Sequence, residues 1–411
     1  MEPKFPVVVL AVVLALIALR GVGRFRVAIW QAMVGGALAV LAGGGIGPAA
    51  ALRAIDWDVM LFLFGMFVVG QAAVASGELY RAAYELFSRA RSTDALVLVL
   101  LFGAGLSSAL LMNDTLAIVG TPLALRLARE HGIDPRLPLL ALAFAVTTGS
   151  VMSPIGNPQN LLIALQTGLP SPFLTFMRHL ALPTLIGLLL AYGVLRVFFR
   201  REFHATPLVH TPVAVQDAGL ARLVRRSVAL ILALIALRIM LAGSAFAAEF
   251  RLSWIALAGA LPLLLFSPRR GELLRQLDWR TLAFFTGMFV LMAAVWETGL
   301  FQAWLARGAW DVAAPATVFA AGAGLSQLVS NVPLVALYLP LLEHAGAGLD
   351  SHMALAAAST LAGNLLILGA ASNVIIVQGA ERQGARLGFF TFARVGIPLT
   401  LAQLWVYWWL L

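Results

Sequence analysis

Apolar runs long enough to cross a bilayer recur along most of the chain, and the polar residues inside them gather at a few places. Runs near 5–20, 27–45, 57–75, 137–152, 174–198, 227–242, 252–267, 279–296, 351–367 and 388–411 each predict one membrane-spanning helix, since about 20 apolar residues cover a hydrocarbon core about 30 Å thick. Residues 95–128 and 313–343 are too long for one span. Each is cut in the middle by polar residues, MNDT (Met112 to Thr115) and SNVP (Ser330 to Pro333). That pattern predicts two short helices that enter the membrane, turn at a polar tip and leave by the same side. Two further interruptions, SPIGNPQN (Ser153 to Asn160) and GAASN (Gly369 to Asn373), fall where the apolar pattern should continue. An unpaired polar group at membrane depth costs several kcal/mol, so these stretches predict helices broken on purpose near the midplane.

The pattern occurs twice. DWDVMLFLFGMFV from Asp56 aligns with DWRTLAFFTGMFV from Asp278, and Gly77 with Gly299. GLSSALLMNDTLAIVGTPLAL from Gly105 aligns with GLSQLVSNVPLVALYLPLL from Gly324, placing Asn113 opposite Asn331 and Pro122 opposite Pro340. SVMSPIGNPQNLLIAL from Ser150 aligns with GNLLILGAASNVIIVQ from Gly363, placing Gly156 opposite Gly369 and Asn160 opposite Asn373. The first apolar run pairs with 227–242 and is therefore read as a permanent helix, not a cleaved signal. The expected fold is an all-α polytopic membrane protein of two repeats, each with five transmembrane helices and one re-entrant hairpin. An odd number of crossings inverts the second repeat relative to the first. The expected organisation is a first repeat over 1–199, a cytoplasmic linker over 200–226 and a second repeat over 227–411.

Charge orients this arrangement. With these spans, 22 of the 28 basic residues fall on one side, and only Lys4, Arg53, Arg178, Arg238, Arg251 and Arg307 on the other. The richer side is expected to be cytoplasmic, with both termini external, in a cell (inner or plasma) membrane.

Composition narrows the function. A chain of 411 residues that is 61% hydrophobic and 11% charged has no polar surface for a soluble domain. The net charge of +9 is spread singly or in small groups between apolar runs, which excludes nucleic acid as a partner. There is no cysteine, so thiolate metal sites and cysteine nucleophiles are excluded. The six histidines fall in loops or at span ends, and no triad, HExxH or phosphate loop occurs. An enzyme and a transition-metal site are therefore not expected.

The tips and breaks bring half-helix ends to the midplane. Helices ending there present carbonyls suited to a small cation such as sodium, and helices beginning there present N–H groups and a positive dipole end suited to an anion. Gly156 and Gly369 permit close approach, and Pro158 and Pro333 fit the first turn of a new helix. Asp114 is the only carboxylate at that depth and is the candidate for proton or sodium coupling.

An Asn-containing tip followed by a Gly-x-x-x-Asn break, seen as MNDT with GNPQN and SNVP with GAASN, resembles the ion transporter superfamily. That group holds divalent-anion/sodium symporters, citrate–metal symporters, arsenite efflux permeases and one class of sodium/proton antiporters. AGNLLILGAASNVIIVQGAER (Ala362 to Arg382) is the most specific part. In its dicarboxylate carriers the tips read Ser-Asn-Thr and contact both substrate carboxylates and sodium. Here only the asparagines and Ser330 carry over, and the Asn-Asp tip is nearer the arsenite-permease branch. The resemblance implies a secondary active anion permease working by alternating access and coupled to Na+ or H+. The alternative is a Na+/H+ antiporter or arsenite efflux permease. Expected substrate contacts are Asn113, Thr115, Asn157, Asn160, Ser330, Asn331, Ser372 and Asn373. Ion coupling is expected at Asp114, with Asn113, Gly156, Asn331 and Gly369. Expected partners are a small anion, Na+ or H+, the lipid bilayer and, by resemblance, a second copy in a homodimer. No cofactor other than Na+ is expected.

Overall fold

The computed structural model describes residues 5–18, 27–87, 90–169, 171–203, 217–241, 250–305 and 311–411, and all regular structure among them is helical. The first half runs through α1 (Phe5–Ala18), α2 (Ile29–Ala42), α3 (Pro48–Ala54), α4 (Trp57–Ala75), α5 (Glu78–Phe87), α6 (Thr93–Ser108), α7 (Asn113–His131), α8 (Arg136–Ser150), α9 (Pro158–Gln166) and α10 (Pro172–Phe198). The second half repeats that succession as α11 (Ala218–Met240), α12 (Leu252–Phe266), α13 (Arg270–Arg275), α14 (Trp279–Glu297), α15 (Leu300–Leu305), α16 (Pro315–Val329), α17 (Asn331–His344), α18 (Leu349–Leu361), α19 (Ala371–Arg382) and α20 (Phe389–Leu410). Between α18 and α19 the chain passes through two short 3₁₀ turns, 362–364 and 367–369. Helices α4, α10, α14 and α20 are long and apolar enough to cross a membrane. Large apolar side chains such as Val197, Phe266, Phe390 and Trp409 stand exposed on the surface, as a lipid-facing wall requires.

The repeated DW-GMF motif has a local explanation at each position. Asp56 caps α4 by accepting the Val59 N–H at 3.1 Å, and Asp278 caps α14 by accepting the Thr281 N–H at 3.1 Å. The tryptophans that follow are exposed at the helix starts, where an amphipathic ring anchors at a membrane interface. The glycine of GMF permits helix contact without an intervening side chain. A methyl group on Gly65 would lie 2.6 Å from the Ala256 carbonyl carbon of α12, and one on Gly287 would lie 3.0 Å from the backbone of Met33 and Val34 in α2. Finally Gly77 and Gly299 take left-handed φ values of 75° and 67° where α4 and α14 end.

The closest helix pairs across the halves fall into two sets. In one, α4 lies on α12 and α2 lies on α14, with α1 and α11 outside them. In the other, the helices around the tips and breaks interlock across the halves: α10 on α20, α7 on α19, and α9 on α17. Each half thus completes the other. Backbones touch closely where α6 crosses α8, since a methyl on Gly149 would fall on the Gly105 carbonyl, and where Gly396 of α20 meets the Asn364 carbonyl.

Two features differ from the expectation. Helices α3, α5, α13 and α15 are too short for a span-length pattern to reveal. The linker is also shorter than 200–226, because α11 already begins at Ala218. Asp217 starts it by accepting the Leu220 N–H at 2.9 Å. That bond, assisted by Arg269, holds the Asp217 carboxyl below the usual carboxylate range. Residues 204–216 of the expected linker lie outside the described residues.

Candidate ligand site at the hairpin tips and helix breaks

The first break is closed by its own side chains. Helix α8 ends at Ser150 and α9 starts at Pro158, with Asn157 as N-cap accepting the Asn160 N–H at 2.9 Å. Asn157 Nδ2 donates to Ser150 Oγ at 2.9 Å and to Thr360 Oγ1 at 3.3 Å. Asn160, wholly buried, donates Nδ2 to the carbonyls of Ser150 (3.2 Å), Val151 (3.1 Å) and Ser153 (3.1 Å), and its Oδ1 accepts from Thr360 Oγ1 at 3.3 Å. Gln159 Nε2 also reaches Thr360 Oγ1, at 3.2 Å. The orphaned carbonyls at the end of α8 are thereby satisfied. Asn157 and Asn160 hold the break in shape, and every polar side-chain atom they carry is engaged.

The second break follows the same plan but leaves it incomplete. Asn373 Nδ2 donates to the Gly363 carbonyl at 2.6 Å, the counterpart of the bond from Asn160 to Ser150. At the position of Asn157, however, stands Ala370, and α19 begins with no side-chain cap. Helix α17 likewise begins without one, after Ser330. Buried oxygens here make no hydrogen bond within the protein: Asn331 Oδ1, Asn373 Oδ1, Ser372 Oγ, Thr147 Oγ1 and Gln327 Oε1. Side chains of three of these residues, Thr147, Asn331 and Gln327, border Gly363 or Gly369. A methyl on Gly363 would lie 3.2 Å from Thr147 Cγ2 and 3.7 Å from Asn331 Nδ2, and one on Gly369 would lie 2.8 Å from the Ala362 carbonyl and 3.0 Å from Gln327 Oε1. Native proteins rarely bury so many acceptors unpaired in one place. The second tip is strained as well, because Ser330 has φ 73° and ψ 157°, a region that glycine alone visits readily.

The first tip joins the first break through its backbone, with the Asn113 N–H donating to the Gly156 carbonyl at 3.1 Å. Gly156 itself sits against the carbonyls of Ser150 and Ser108, at 2.6 and 2.8 Å from where a methyl would be. Asn113 Oδ1 accepts the Asp114 N–H at 3.0 Å. Asp114 is half-buried in the first turn of α7, and no arginine pairs with its carboxylate among the described residues. Thr115 points at α4, where its Oγ1 would lie 2.9 Å from a methyl on Gly70. The structure therefore brings both tips and both breaks together, but the expected ligand residues divide. Ser330 and Asn331 are at the second tip and Ser372 and Asn373 at the incomplete second break, while Asn157 and Asn160 are spent on the first.

Some contributors were not singled out from sequence. Thr360, the repeat partner of Thr147, bridges Asn157, Gln159 and Asn160. Gln327, one turn before the second tip, donates to the Ala362 carbonyl at 2.7 Å. Gln403, a lone amide in an apolar helix, joins Asn364, Thr148 and the Gly187 carbonyl at 2.9 to 3.0 Å. Each signal was present as a polar residue at a repeat-related or span-interior position. Among the described residues no group of three or more His, Asp or Glu side chains forms a metal cluster.

Comparison with known proteins adds an independent finding. The model of the family described as citrate transporter (CitMHS) matches residues 12–352. An uncharacterised transporter of Mycobacterium tuberculosis is 29% identical over 420 residues, covering 95% of this chain and 94% of that one. Among solved structures, the YdaH transporter of Alcanivorax borkumensis superposes with a TM-score of 0.59 at 15% identity, over 99% of this chain and 97% of that one. MtrF of Neisseria gonorrhoeae, described within a class of antimetabolite efflux pumps, gives 0.60 at 14% identity, over 100% and 94%. At these identities the two structures speak to the fold.

Proposed function

The chain belongs to the citrate transporter (CitMHS) family of membrane transporters, and from that premise we propose that it is a secondary active transporter of a small carboxylate or oxyanion, driven by Na+ or H+. The observation that carries the reading is the incomplete second break. Its uncapped α17 and α19 starts direct free N–H groups and positive dipole ends inward, which suits an anion. The unpaired oxygens of Asn331, Asn373, Ser372 and Thr147 suit a hard cation such as Na+. One site accepting both charges makes each ion's binding depend on the other. That dependence is what coupling requires.

Residues 1–199 and 227–411 act in this proposal as inverted halves, and alternating access is movement of the helices that hold the tips and breaks against the bundle of α1, α2, α4, α11, α12 and α14. Pairing of two copies through the early spans belongs to the same proposal. Citrate is the first substrate to test, given the family. Proteoliposomes offered citrate, succinate, sulfate and arsenite in turn should accumulate at least one of them when a sodium or pH gradient is imposed, and none when it is collapsed. Asp114→Asn should uncouple uptake from the driving ion with folding intact. Sodium–proton exchange in the absence of any anion is the second reading, and the unpaired Asp114 carboxylate at the first tip is what favours it.

A further inference from the structure

Away from the breaks, on the arginine-rich side, the end of α10 with the residues that follow it, the start of α8 and the first two turns of α20 enclose an open polar cavity of about 430 Å³. Arg136, Arg200, Arg201 and Arg394 line it, with Asp134 and Glu202 as the only carboxylates. Asp134 is ion-paired, and Glu202 leaves one carboxylate charge against the remaining arginines. Arg136 donates to both Asp134 oxygens, and burial of that carboxyl is outweighed by these bonds, which hold it below the usual carboxylate range. Glu202 accepts the Asp134 N–H at 2.9 Å. Arg200, Arg201 and Arg394 have no carboxylate partner among the described residues, and the Arg394 guanidinium lies over the Phe198 ring, 5.5 Å from its centroid. Three unpaired guanidinium groups around one cavity are a receptor for phosphate oxygens.

Phe198 also lines a second opening. A shallow apolar groove of about 370 Å³ runs along α10 past Ile186, Leu189, Leu190, Gly193 and Val197 and ends at the same ring. Nothing lies within 4 Å of where a side chain on Gly193 would begin, so the glycine leaves a notch in the surface. From Ile186 to Phe198 a helix rises about 18 Å, close to the roughly 15 Å depth of one leaflet.

A basic cavity at one end and an apolar groove of leaflet depth at the other, meeting at Phe198, have the shape and charge of an anionic phospholipid. We propose that this is a specific lipid site: the phosphodiester headgroup sits among Arg200, Arg201 and Arg394, and an acyl chain lies in the groove beside Gly193. Basic pockets between membrane helices bind anionic headgroups on this principle. The proposal requires only that the chain be embedded in a membrane and stands apart from the identity of the substrate.

The test uses the purified full-length protein in detergent, with phosphatidylglycerol, phosphatidylethanolamine or inorganic phosphate added, read by native mass spectrometry and thermal unfolding. The parent should retain phosphatidylglycerol in preference to phosphatidylethanolamine and unfold at higher temperature with it. The triple variant Arg200→Gln, Arg201→Gln, Arg394→Gln should lose that affinity on the order of a hundredfold at low ionic strength, each arginine near an anionic headgroup being worth about fivefold. Gly193→Phe, which fills the notch without touching the cavity, should weaken retention of the lipid severalfold while leaving any effect of inorganic phosphate unchanged. Undiminished retention by the triple variant would overturn the site. Protection by inorganic phosphate equal to that by lipid, with Gly193→Phe silent, would overturn the lipid assignment in favour of a soluble anion.

Discussion

Asn160 and Asn373 are related by the repeat, yet truncating them should do different things. Asn160→Ala removes three donations and one acceptance from a wholly buried site. Ser150 O keeps Asn157 Nδ2 at 3.4 Å and Ser153 O keeps the Gly156 N–H at 3.4 Å, but Val151 O keeps no donor among the described residues. One orphaned buried carbonyl costs about 1–3 kcal/mol and each weakened bond about 0.5–1.5, so the loss is on the order of 3 kcal/mol of stability. Asn373→Ala removes a single donation, to Gly363 O, which keeps no other donor among the described residues, and should cost about 1–3 kcal/mol of stability. Its Oδ1 is one of the unpaired acceptors, so the variant should also weaken ligand binding, by about 1–3 kcal/mol or roughly 5- to 150-fold in affinity. Unfolding of the two purified variants in detergent, with and without citrate, separates these effects. If Asn160→Ala unfolds like the parent but binds tenfold more weakly, its side chain faces ligand, and the division between a closed first break and an open second one is wrong.

Further outcomes follow from other parts of the molecule. Gly287→Leu and Gly65→Leu should each destabilise by more than about 3 kcal/mol, because a side chain there meets backbone that cannot yield; equal unfolding temperatures for parent and variants would disprove close helix contact at the GMF motifs. Ser330→Gly should relieve backbone strain and stabilise by about 1 kcal/mol, while lowering transport if the hydroxyl contacts ligand; a destabilised variant would contradict the strained tip. A cysteine at Gln216, in a chain that otherwise has none, should resist impermeant reagents applied outside intact cells and react after permeabilisation. Labelling from outside would refute a cytoplasmic linker and with it the inverted arrangement.

Much of this architecture was legible because polar residues in apolar runs are costly enough to need a reason. The DW-GMF repeat, both tips and both breaks stand in the structure where the pattern puts them, and Asp56, Asp278, Gly65 and Gly287 show what the repeated letters do. The short α3, α5, α13 and α15 were not legible, since a span-length window averages over them. Part of the difference between the two breaks could have been read, because Asn157 aligns with Ala370 and the second break therefore lacks a cap. The rest depends on contacts across the halves: Thr360 completes the first break from the second half, whereas the hydroxyl of its counterpart Thr147, which reaches the second break, makes no hydrogen bond within the protein. Such pairings join residues some two hundred positions apart, and no local pattern encodes them.

The central claim is that the open second break binds an anion together with its driving ion. It is tested most directly by uptake of radiolabelled citrate into proteoliposomes holding the parent or the Asn331→Ala, Asn373→Ala double variant. The account predicts that the parent concentrates citrate, or another anion of the panel, above the outside level under an inward sodium or proton gradient. It also predicts that the double variant, folded as judged by thermal unfolding, does not. Gradient-driven accumulation by the double variant at the parental rate would contradict it.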